Sequence, residues 1–206
     1  MTDLVCLRIE VPFASFRDPR RRECRNSFPV PPPSTIYGML LSAVGECDRH
    51  RHRGAEIAIG LLSEPTYFTV LRKCRRFKHT RIDHQSNSTP DFQEVLADVR
   101  LLVWLKGDRS EVNLADRIKT ALANPAEIDR FGILSLGESR DMVDDLSFAN
   151  EGDRVDRWLL KDERGFLVLP TWSDRSSMGA TKWQSYSLTK MPDFPNGPPE
   201  AAWTEI

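Results

Sequence analysis

The chain has 206 residues, and 40% of them are hydrophobic, which is typical of one domain with a substantial core. Its longest apolar runs fall well short of the roughly 20 residues that a membrane helix needs, and its start lacks a basic and apolar leader, so we expect a cytoplasmic protein with no membrane contact. The net charge of −1 conceals an asymmetry, because residues 1–109 carry 18 Lys and Arg against 13 Asp and Glu, whereas residues 110–206 carry 11 against 17.

The first quarter of the chain predicts a strand and then a helix. Residues 4–11 alternate between apolar and charged positions, which is typical of a half-buried strand. The prolines between residues 29 and 33 exclude regular structure there. Ser34 or Thr35 is expected to cap a short buried helix that ends near Gly45. An alternative role for this helix start is to donate backbone amides to a phosphate.

The middle of the chain predicts a hairpin arm. Residues 57–62, 67–71 and 95–105 are rich in strand-forming side chains. Between the last two strands lie a basic run and a polar stretch without periodicity. Because a strand flanks this excursion on each side, we expect a basic thumb at about residues 72–94 that protrudes from the domain body.

The remaining elements complete an α+β pattern. Apolar residues at helical spacing predict a second helix over residues 113–123, and a glycine-containing turn follows at residues 136–140. Further extended segments are expected at residues 165–169 and 183–188. The order strand, helix, strand, strand, helix, strand is that of a ferredoxin-like, RRM-like domain with an antiparallel sheet. We assign residues 1–190 to this single domain and residues 191–206 to a tail that is too rich in Pro and Gly to pack regularly.

Two basic clusters are the candidate RNA-binding sites. Residues 72–81 carry six fixed positive charges and no acid, and a second cluster lies at residues 17–25. Each Lys or Arg can replace a counterion on a phosphate backbone, and a ring can stack on a base. The candidate residues are Arg17, Arg20, Arg21, Arg22, Arg25, Arg72, Lys73, Arg75, Arg76, Phe77, Lys78, His79 and Arg81. The alternative interpretation of such runs is a solvated loop that is polar for solubility.

Metal and cofactor sites are not expected. The four cysteines, Cys6, Cys24, Cys47 and Cys74, are widely spaced and predict free thiols rather than a zinc ribbon or a redox pair. His50 and His52 alternate with arginines that would repel a cation, so we interpret residues 49–53 as a surface turn.

Three segments resemble the signatures of a known family. Residues 13–17 and residues 28–46, the latter reading Phe28-Pro29-Val30-Pro31-Pro32-Pro33-Ser34-Thr35-Ile36-Tyr37-Gly38-Met39, resemble the N-terminal signature of Cas5 proteins, which belong to the RAMP superfamily. Residues 136–140 resemble a later motif of that family, but Glu138 and Arg140 occupy the places usually held by arginine and glutamate. The compact length is similar to Myxococcus-like or type I-B members, and the C-terminal third resembles nothing that we assign.

The resemblance implies a non-catalytic RNA-binding subunit of a type I CRISPR Cascade complex in antiviral defence. Such a subunit caps the 5′ handle of the guide RNA (crRNA), contacts a Cas7-type backbone subunit and a Cas8-type large subunit, and meets target DNA only through the complex. By position in the thumb, Arg75, Arg76, Lys78 and Arg81 are expected at handle phosphates. Phe77 or His79 is expected to stack beside a base.

The alternative is a metal-independent endoribonuclease that processes precursor crRNA, as some Cas5 relatives do. That chemistry needs a base for the 2′-hydroxyl, an acid for the leaving oxygen and a cation for the phosphate. His79 and His84 in the arm, Lys78 and Arg81 beside them, and Tyr37 in the first helix are the candidates. Histidines in a basic loop are more often RNA contacts than a catalytic pair, so we expect no enzymatic activity.

Overall fold

The fold is a mixed α/β structure built on one large sheet. The computed structural model describes residues 4–20, 26–75, 79–108, 110–174, 180–191 and 197–206. The strands are β1 Leu4–Ala14, β2 Glu56–Leu61, β3 Thr66–Arg75, β4 Ser88–Lys106, β5 Asp145–Phe148, β6 Arg157–Lys161, β7 Leu167–Trp172, β8 Lys182–Thr189 and β9 Thr204–Glu205. The helices are α1 Pro33–Ala43 and α2 Leu114–Ala123.

Strand β4 is the centre of the sheet. It has 19 residues, and its C-terminal half pairs with β1 on one side and with β2 on the other, both antiparallel. Its N-terminal half pairs with β3, from Thr66 opposite Ala97 to Arg75 opposite Ser88. The strands follow the order β5-β1-β4-β2-β6-β8-β7, with β3 beside β4 and β9 beside β2.

The main core lies between the sheet and the two helices. Alternate residues of β1 are buried, and so are Val99, Leu101, Val103 and Leu105 of β4. These side chains form one cluster with apolar residues of α1 and α2. The predicted first strand, the two helices and the antiparallel sheet are thus all present. No helix within the described residues is long and apolar enough to cross a membrane.

The predicted cap of α1 is wrong. Pro32 is the N-cap residue and Pro33 is the first helical residue, and no side chain bonds to the helix start. The Pro32 carbonyl instead accepts hydrogen bonds from the amides of Thr35 and Ile36, at 2.8 and 3.1 Å. Proline fits the first turn because the lost N–H has no partner there in any helix. The Ser34 hydroxyl is therefore not used as a cap.

Strand β4 also begins earlier than the sequence pattern indicates. The loss of periodicity up to Glu94 predicted an irregular arm, but residues 88–94 continue the strand. Residues 88–94 are mostly polar, so composition does not indicate a strand there, and only the pairing with β3 shows it. Further along β4, Asp98 has φ of 58° and lies between Ala97 and Val99, the partners of Phe13 and Val11. A residue in this conformation interrupts the strict alternation of the strand.

The C-terminal segment packs onto the sheet, which differs from the expected irregular tail. Strand β9 pairs with β2 through Thr204 opposite Ile57. The Thr204 and Tyr186 hydroxyls are hydrogen bonded at 2.9 Å, and both residues are buried. Ile206 is held by backbone hydrogen bonds to Gly54 and Ala55. The sequence gives no sign of this because two paired residues are too few for a periodic pattern.

Residues 49–53 form the predicted turn, in which His50, Arg51 and Arg53 are exposed, but His52 is buried. Its side chain has no exposed area, its Nδ1 lies 2.7 Å from Asp108 Oδ2, and its Nε2 lies 2.9 Å from Arg117 Nη1. Because a guanidinium can only donate, Nε2 is the acceptor and Nδ1–H donates to the carboxylate. Arg117 also contacts Glu46 Oε2 at 2.5 Å. The network joins the segment after α1 to the start of α2.

Hydrogen bonds lower the pKa values of the two carboxylates in this network. Burial by itself would raise the pKa of Glu46, but the Asp48 amide and the guanidinium groups of Arg117 and Arg51 outweigh it and lower that pKa to about 2. Burial also opposes ionisation of Asp108, and donors from Ser110, Leu114 and His52 still hold its pKa below the usual value. Both side chains are therefore carboxylates near neutral pH.

Deletion of residues 204–206 is expected to lower the free energy of unfolding by about 2–4 kcal/mol, because β9 pairing and the burial of Ile206 are both removed. Thermal unfolding followed by circular dichroism measures this. Glu205→Ala is the control, since the Glu205 side chain is exposed and its backbone pairing is retained. Equal melting temperatures for the deletion and the control would contradict the packing of this segment.

Glu46→Gln is expected to cost about 1–3 kcal/mol of stability at pH 7 and progressively less in acid. The folded pKa is about 2 and the reference value is 4.5, so the ionised group stabilises the fold above about pH 4.5 and loses that effect as the pH falls toward 2. Urea unfolding of both proteins between pH 7 and pH 3 measures the difference. A difference that stays constant over this range would mean that the charge of Glu46 does not contribute.

Candidate nucleic-acid interface

Strands β3 and β4 form a long two-stranded ribbon, which we define as residues 66–75 paired with residues 88–97. Beyond Leu96, the last residue of β4 that pairs with β1, the described ladder of β4 continues only with β3. Several large apolar side chains of this ribbon are 43–63% exposed, namely Tyr67, Phe68, Val70, Leu71 and Phe92. Leu71 and Phe92 lie directly opposite each other. Exposed apolar side chains that are concentrated in this way typically mark an interaction surface.

Residues 79–87, at the tip of the ribbon, form an ordered turn. The rings of His79 and His84 are stacked, with centroids 4.1 Å apart and planes at 28°. Asn87 is buried, accepts a hydrogen bond from the His79 amide at 2.9 Å and donates to the Arg81 carbonyl at 2.7 Å. Arg81 is exposed and pairs with Asp83 at 3.1 Å. Local hydrogen bonds therefore shape a tip in which two imidazoles and a guanidinium lie at the surface.

Some of the predicted RNA-binding residues of the first cluster lie outside the described part of the chain. These residues are Arg76, Phe77 and Lys78. Lys73 and Arg75 lie in β3 opposite Pro90 and Ser88, and their side chains are not described. Of this cluster, the structure thus locates the side chains of Arg72, His79 and Arg81, and the roles of all of its members remain predictions.

Arg72 lies at the base of the ribbon rather than at its tip. Its Nη1 donates to the side-chain oxygen of Gln93 and lies 3.5 Å from Glu138 Oε2. Arg140 Nη2 is 2.8 Å from both Gln93 Oε1 and Glu138 Oε2. The turn at residues 136–140, which resembles a family motif, therefore meets the ribbon through a polar network.

The second basic cluster begins in the segment that follows β1. Arg17 is exposed and forms an isolated bridge with Ser27. Arg20 pairs with Asp18 at 2.9 Å, and its guanidinium lies 5.2 Å from the centre of the Trp183 ring. Arg21, Arg22 and Arg25 lie outside the described residues. Arg17 is thus open to solvent, whereas Arg20 packs against its own domain.

A third basic group, at residues 49–53, packs around a tryptophan, and this contact was not predicted. The Trp172 ring is buried, and the guanidinium groups of Arg49 and Arg53 lie 5.3 and 4.9 Å from its centre. The His50 ring lies 5.2 Å away. Contacts between cations and aromatic faces are attractive, so this group stabilises the turn at residues 49–53. Trp172 lies in the C-terminal third, and no local pattern connects it with these residues.

A groove runs along α1. It has a volume of about 750 Å³, and its lining includes the hydroxyl groups of Ser34, Thr35 and Ser42. The segment with Phe131 and Ile133 forms the other wall, and the Phe131 side chain is fully exposed. Gly137 and Ser139 of the turn described above also line the groove. The groove and the ribbon therefore lie on two sides of the same turn.

The sheet face opposite the helices is partly covered. The rings of Trp104 and Trp158 lie 4.9 Å apart and form a small second core with Ala58 and Ala202. Lys106 lies 3.8 Å from the centre of the Trp203 ring. An RRM-like domain stacks bases on an open sheet face, which would need exposed aromatic rings at the central strands. Trp104 and Trp158 of the central strands are packed against each other instead.

The described histidines contact other groups of the protein. His52 is fully bonded inside the protein, His50 rests on Trp172, and His84 Nδ1 contacts the Ser86 hydroxyl at 2.6 Å. The Tyr37 hydroxyl donates to the Arg49 carbonyl, and burial raises the pKa of Tyr37 to about 12. Within the described ranges, no group of three or more His, Cys, Asp or Glu residues could hold a metal ion.

Comparison with known proteins identifies the family. The family model described as CRISPR-associated protein (Cas_Cas5) matches residues 4–155. The chain is 37% identical over 188 residues to the "CRISPR-associated protein Cas5" of Myxococcus xanthus (strain DK1622), and the match covers 88% of both chains.

Two solved structures share the fold. One chain of a "CRISPR RNA-guided surveillance complex" matches with a TM-score of 0.66 and 17% identity over 97% of this chain and 95% of the other. A "Crystal structure of Cas protein" matches with a TM-score of 0.54 and 18% identity over 95% of this chain and all of the other. The sequence matches agree with the resemblance of residues 13–46, and the chain belongs to the Cas5 family of CRISPR-associated proteins.

Proposed function

We propose that this chain is the crRNA-binding subunit of a type I CRISPR surveillance complex of the Cascade kind, and that it holds the 5′ handle without cutting RNA. The single observation that carries this proposal is the β3–β4 ribbon in a member of the Cas5 family. The ribbon connects to the most basic segment of the sequence, residues 72–81, and its tip exposes His79 and Arg81. We interpret this ribbon as the predicted thumb.

The topology supports a RAMP body. The four strands in the order β5-β1-β4-β2 are all antiparallel to their neighbours. Helix α1 connects β1 to β2, and α2 follows β4 and precedes β5. This arrangement is the one expected of a ferredoxin-like unit, with β3 and the first half of β4 as an insertion. We therefore interpret residues 66–97 as an addition to a ferredoxin-like domain.

The exposed apolar side chains of the ribbon support contacts with protein neighbours. Tyr67, Leu71 and Phe92 are about half exposed or more, because no other part of the described chain packs over these side chains. Phosphate groups of RNA do not bury apolar side chains, whereas the interface with another protein subunit would bury them. We assign this surface to a Cas7-type backbone subunit, and we assign the acidic second half to other neighbours, including a Cas8-type large subunit.

The alternative function is that of a metal-independent endoribonuclease. His79 and His84 favour it, because two imidazoles lie close together at the ribbon tip. General acid–base cleavage needs room for a scissile phosphate between the acid and the base, however, and the two stacked rings are only 4.1 Å apart. We therefore favour a role in which the stacked pair supports a base or a phosphate of the handle.

The purified chain is expected to bind labelled single-stranded repeat RNA and to leave it intact in the presence of EDTA. Gel analysis of the RNA after a long incubation measures cleavage, and a filter-binding titration of the same samples measures affinity. Cleavage at one site that disappears in both His79→Ala and His84→Ala would establish the endoribonuclease instead. The two variants remove one ring each from the stacked pair.

Replacement of Arg75, Arg76 and Lys78 by Glu is expected to weaken RNA binding by at least tenfold, because three cations can no longer pair with phosphates. The salt dependence should also fall, by about 0.7 in the slope of log K against log salt for each cation that no longer binds a phosphate. The control replaces Lys161, Arg164 and Lys190, which are exposed cations of the C-terminal strands and their connections. Equal reductions in affinity for both triple variants would show that the ribbon is not the RNA contact.

A further inference from the structure

Gln93 is a buried polar residue at the base of the ribbon with an unusual set of partners. Its side chain has no exposed area, although it lies in a strand near the protein surface. Its oxygen accepts from Arg72 of β3 and, at 2.8 Å, from Arg140. Its nitrogen donates to Glu138 at 3.1 Å. One amide thus connects both strands of the ribbon to the turn at residues 136–140.

That turn is itself fixed to the domain body. Asp141 is buried, and its Oδ2 accepts from the amides of Ser15 and Glu138, both at 2.8 Å. Gly137 has φ of 114°, and a side chain at this position would meet Asp141 Oδ2 at 2.7 Å and the Ser15 carbonyl at 3.0 Å. The turn therefore has one compact conformation, which presents the side chains of Glu138 and Arg140 toward the ribbon.

The geometry points to Gln93, Glu138, Arg140 and Arg72 as a clamp that sets the angle between the β3–β4 ribbon and the domain body, and so positions the RNA-binding tip. This inference rests on the proposed function. Arg72, which the sequence predicts as a phosphate contact, is in this arrangement a positioning residue. Its guanidinium is used by Gln93 and Glu138 within the protein.

A small change in the angle of the ribbon at its base moves the tip by a large distance. Five residue pairs separate Gln93 from Ser88 along the ladder, which is about 17 Å at about 3.4 Å per residue. A tilt of about 10° at the base moves that end of the ladder by about 3 Å, whereas hydrogen bonds tolerate only about 0.5 Å in donor–acceptor distance. A ribbon without its clamp would therefore lose the fixed geometry that several simultaneous phosphate contacts need.

The negative charge of Glu138 allows the clamp to be distinguished from a purely electrostatic effect on RNA binding. Glu138→Gln removes one negative charge from a region that is proposed to bind RNA, so electrostatics alone predicts tighter binding. Disruption of the clamp predicts weaker binding, because Arg72 and Arg140 lose their shared carboxylate. The two explanations thus predict opposite directions for one substitution.

The matched control is Asp83→Asn, which removes the same charge from the ribbon tip. Asp83 is exposed and pairs with Arg81, so its replacement frees a cation without touching the base of the ribbon. The full-length chain is titrated with single-stranded repeat RNA at several salt concentrations, well below its melting temperature. We expect Asp83→Asn to bind at least as tightly as the parent and Glu138→Gln to bind about tenfold more weakly.

Arg72→Gln tests whether that residue touches RNA. If Arg72 is a positioning residue, its replacement lowers the affinity and leaves the salt slope unchanged, whereas removal of a phosphate-binding cation lowers the slope by about 0.7. The double variant with Glu138→Gln should be little weaker than either single variant, because one clamp is broken in each case. Tighter binding by Glu138→Gln, or a reduced slope for Arg72→Gln, would overturn the clamp.

Hydrogen exchange of the free protein tests the clamp without RNA. Backbone amides of residues 88–95 should exchange faster in Glu138→Gln than in the parent, and no faster in Asp83→Asn. Unchanged exchange in Glu138→Gln would refute the clamp. Failure of the parent chain to bind RNA would instead count against the proposed function, and the exchange measurement would still decide the clamp. If Glu138→Gln does not fold, Arg140→Gln breaks the same network at a half-exposed residue.

Discussion

Strand β4 is the constraint on which the rest of the structure depends. It pairs with β1, β2 and β3, and its 19 residues extend through both the domain body and the ribbon. Its C-terminal half is buried and carries the main core, whereas its N-terminal half leaves the body and forms one side of the ribbon. A single continuous strand therefore couples the packing of the core to the direction of the surface that we assign to RNA.

At Asp98, the side of β4 whose side chains point into the core changes, and this allows one strand to serve both the core and the ribbon. A strand with strict alternation would direct the same set of side chains into the core along its whole length. Asp98 has φ of 58° and lies between the part of β4 that pairs with β2 and the part that pairs with β3, and its carboxylate bonds to Arg100. That hydrogen bond lowers the pKa of Asp98, so the carboxylate is ionised near neutral pH. The ribbon can then expose apolar side chains while the adjacent part of β4 remains in the core.

Two polar networks join segments that lie far apart in this chain, in addition to the apolar core. The His52 network connects the segment after α1 to α2, and the Gln93 network connects the ribbon to the turn at residues 136–140. Each places a neutral side chain between a carboxylate and a guanidinium. Buried polar groups need all their partners, so such networks specify one relative placement of the segments where apolar contacts would permit several.

The sequence determined the family and most of the local structure. Alternation located β1, helical spacing located α2, and the proline-rich signature before α1 indicated the Cas5 family. It also indicated a strand on each side of the basic arm, although β3 extends to Arg75 and so into the basic run. These features depend on short stretches of chain, in which propensity and periodicity are decisive.

Only the tertiary structure decided the rest, because the deciding contacts join residues far apart in the chain. Arg72 and Arg81 belong to one basic run, yet Arg72 is engaged with Glu138 and Arg81 is exposed at the tip. His52 appears in the sequence as part of a charged turn, but Asp108 and Arg117 make its burial possible. Strand β9 pairs with Glu56 and Ile57 of β2, at the end of that strand that β6 does not reach. Local composition predicts which residues are charged, and long-range pairing decides which of those charges remain available to a partner.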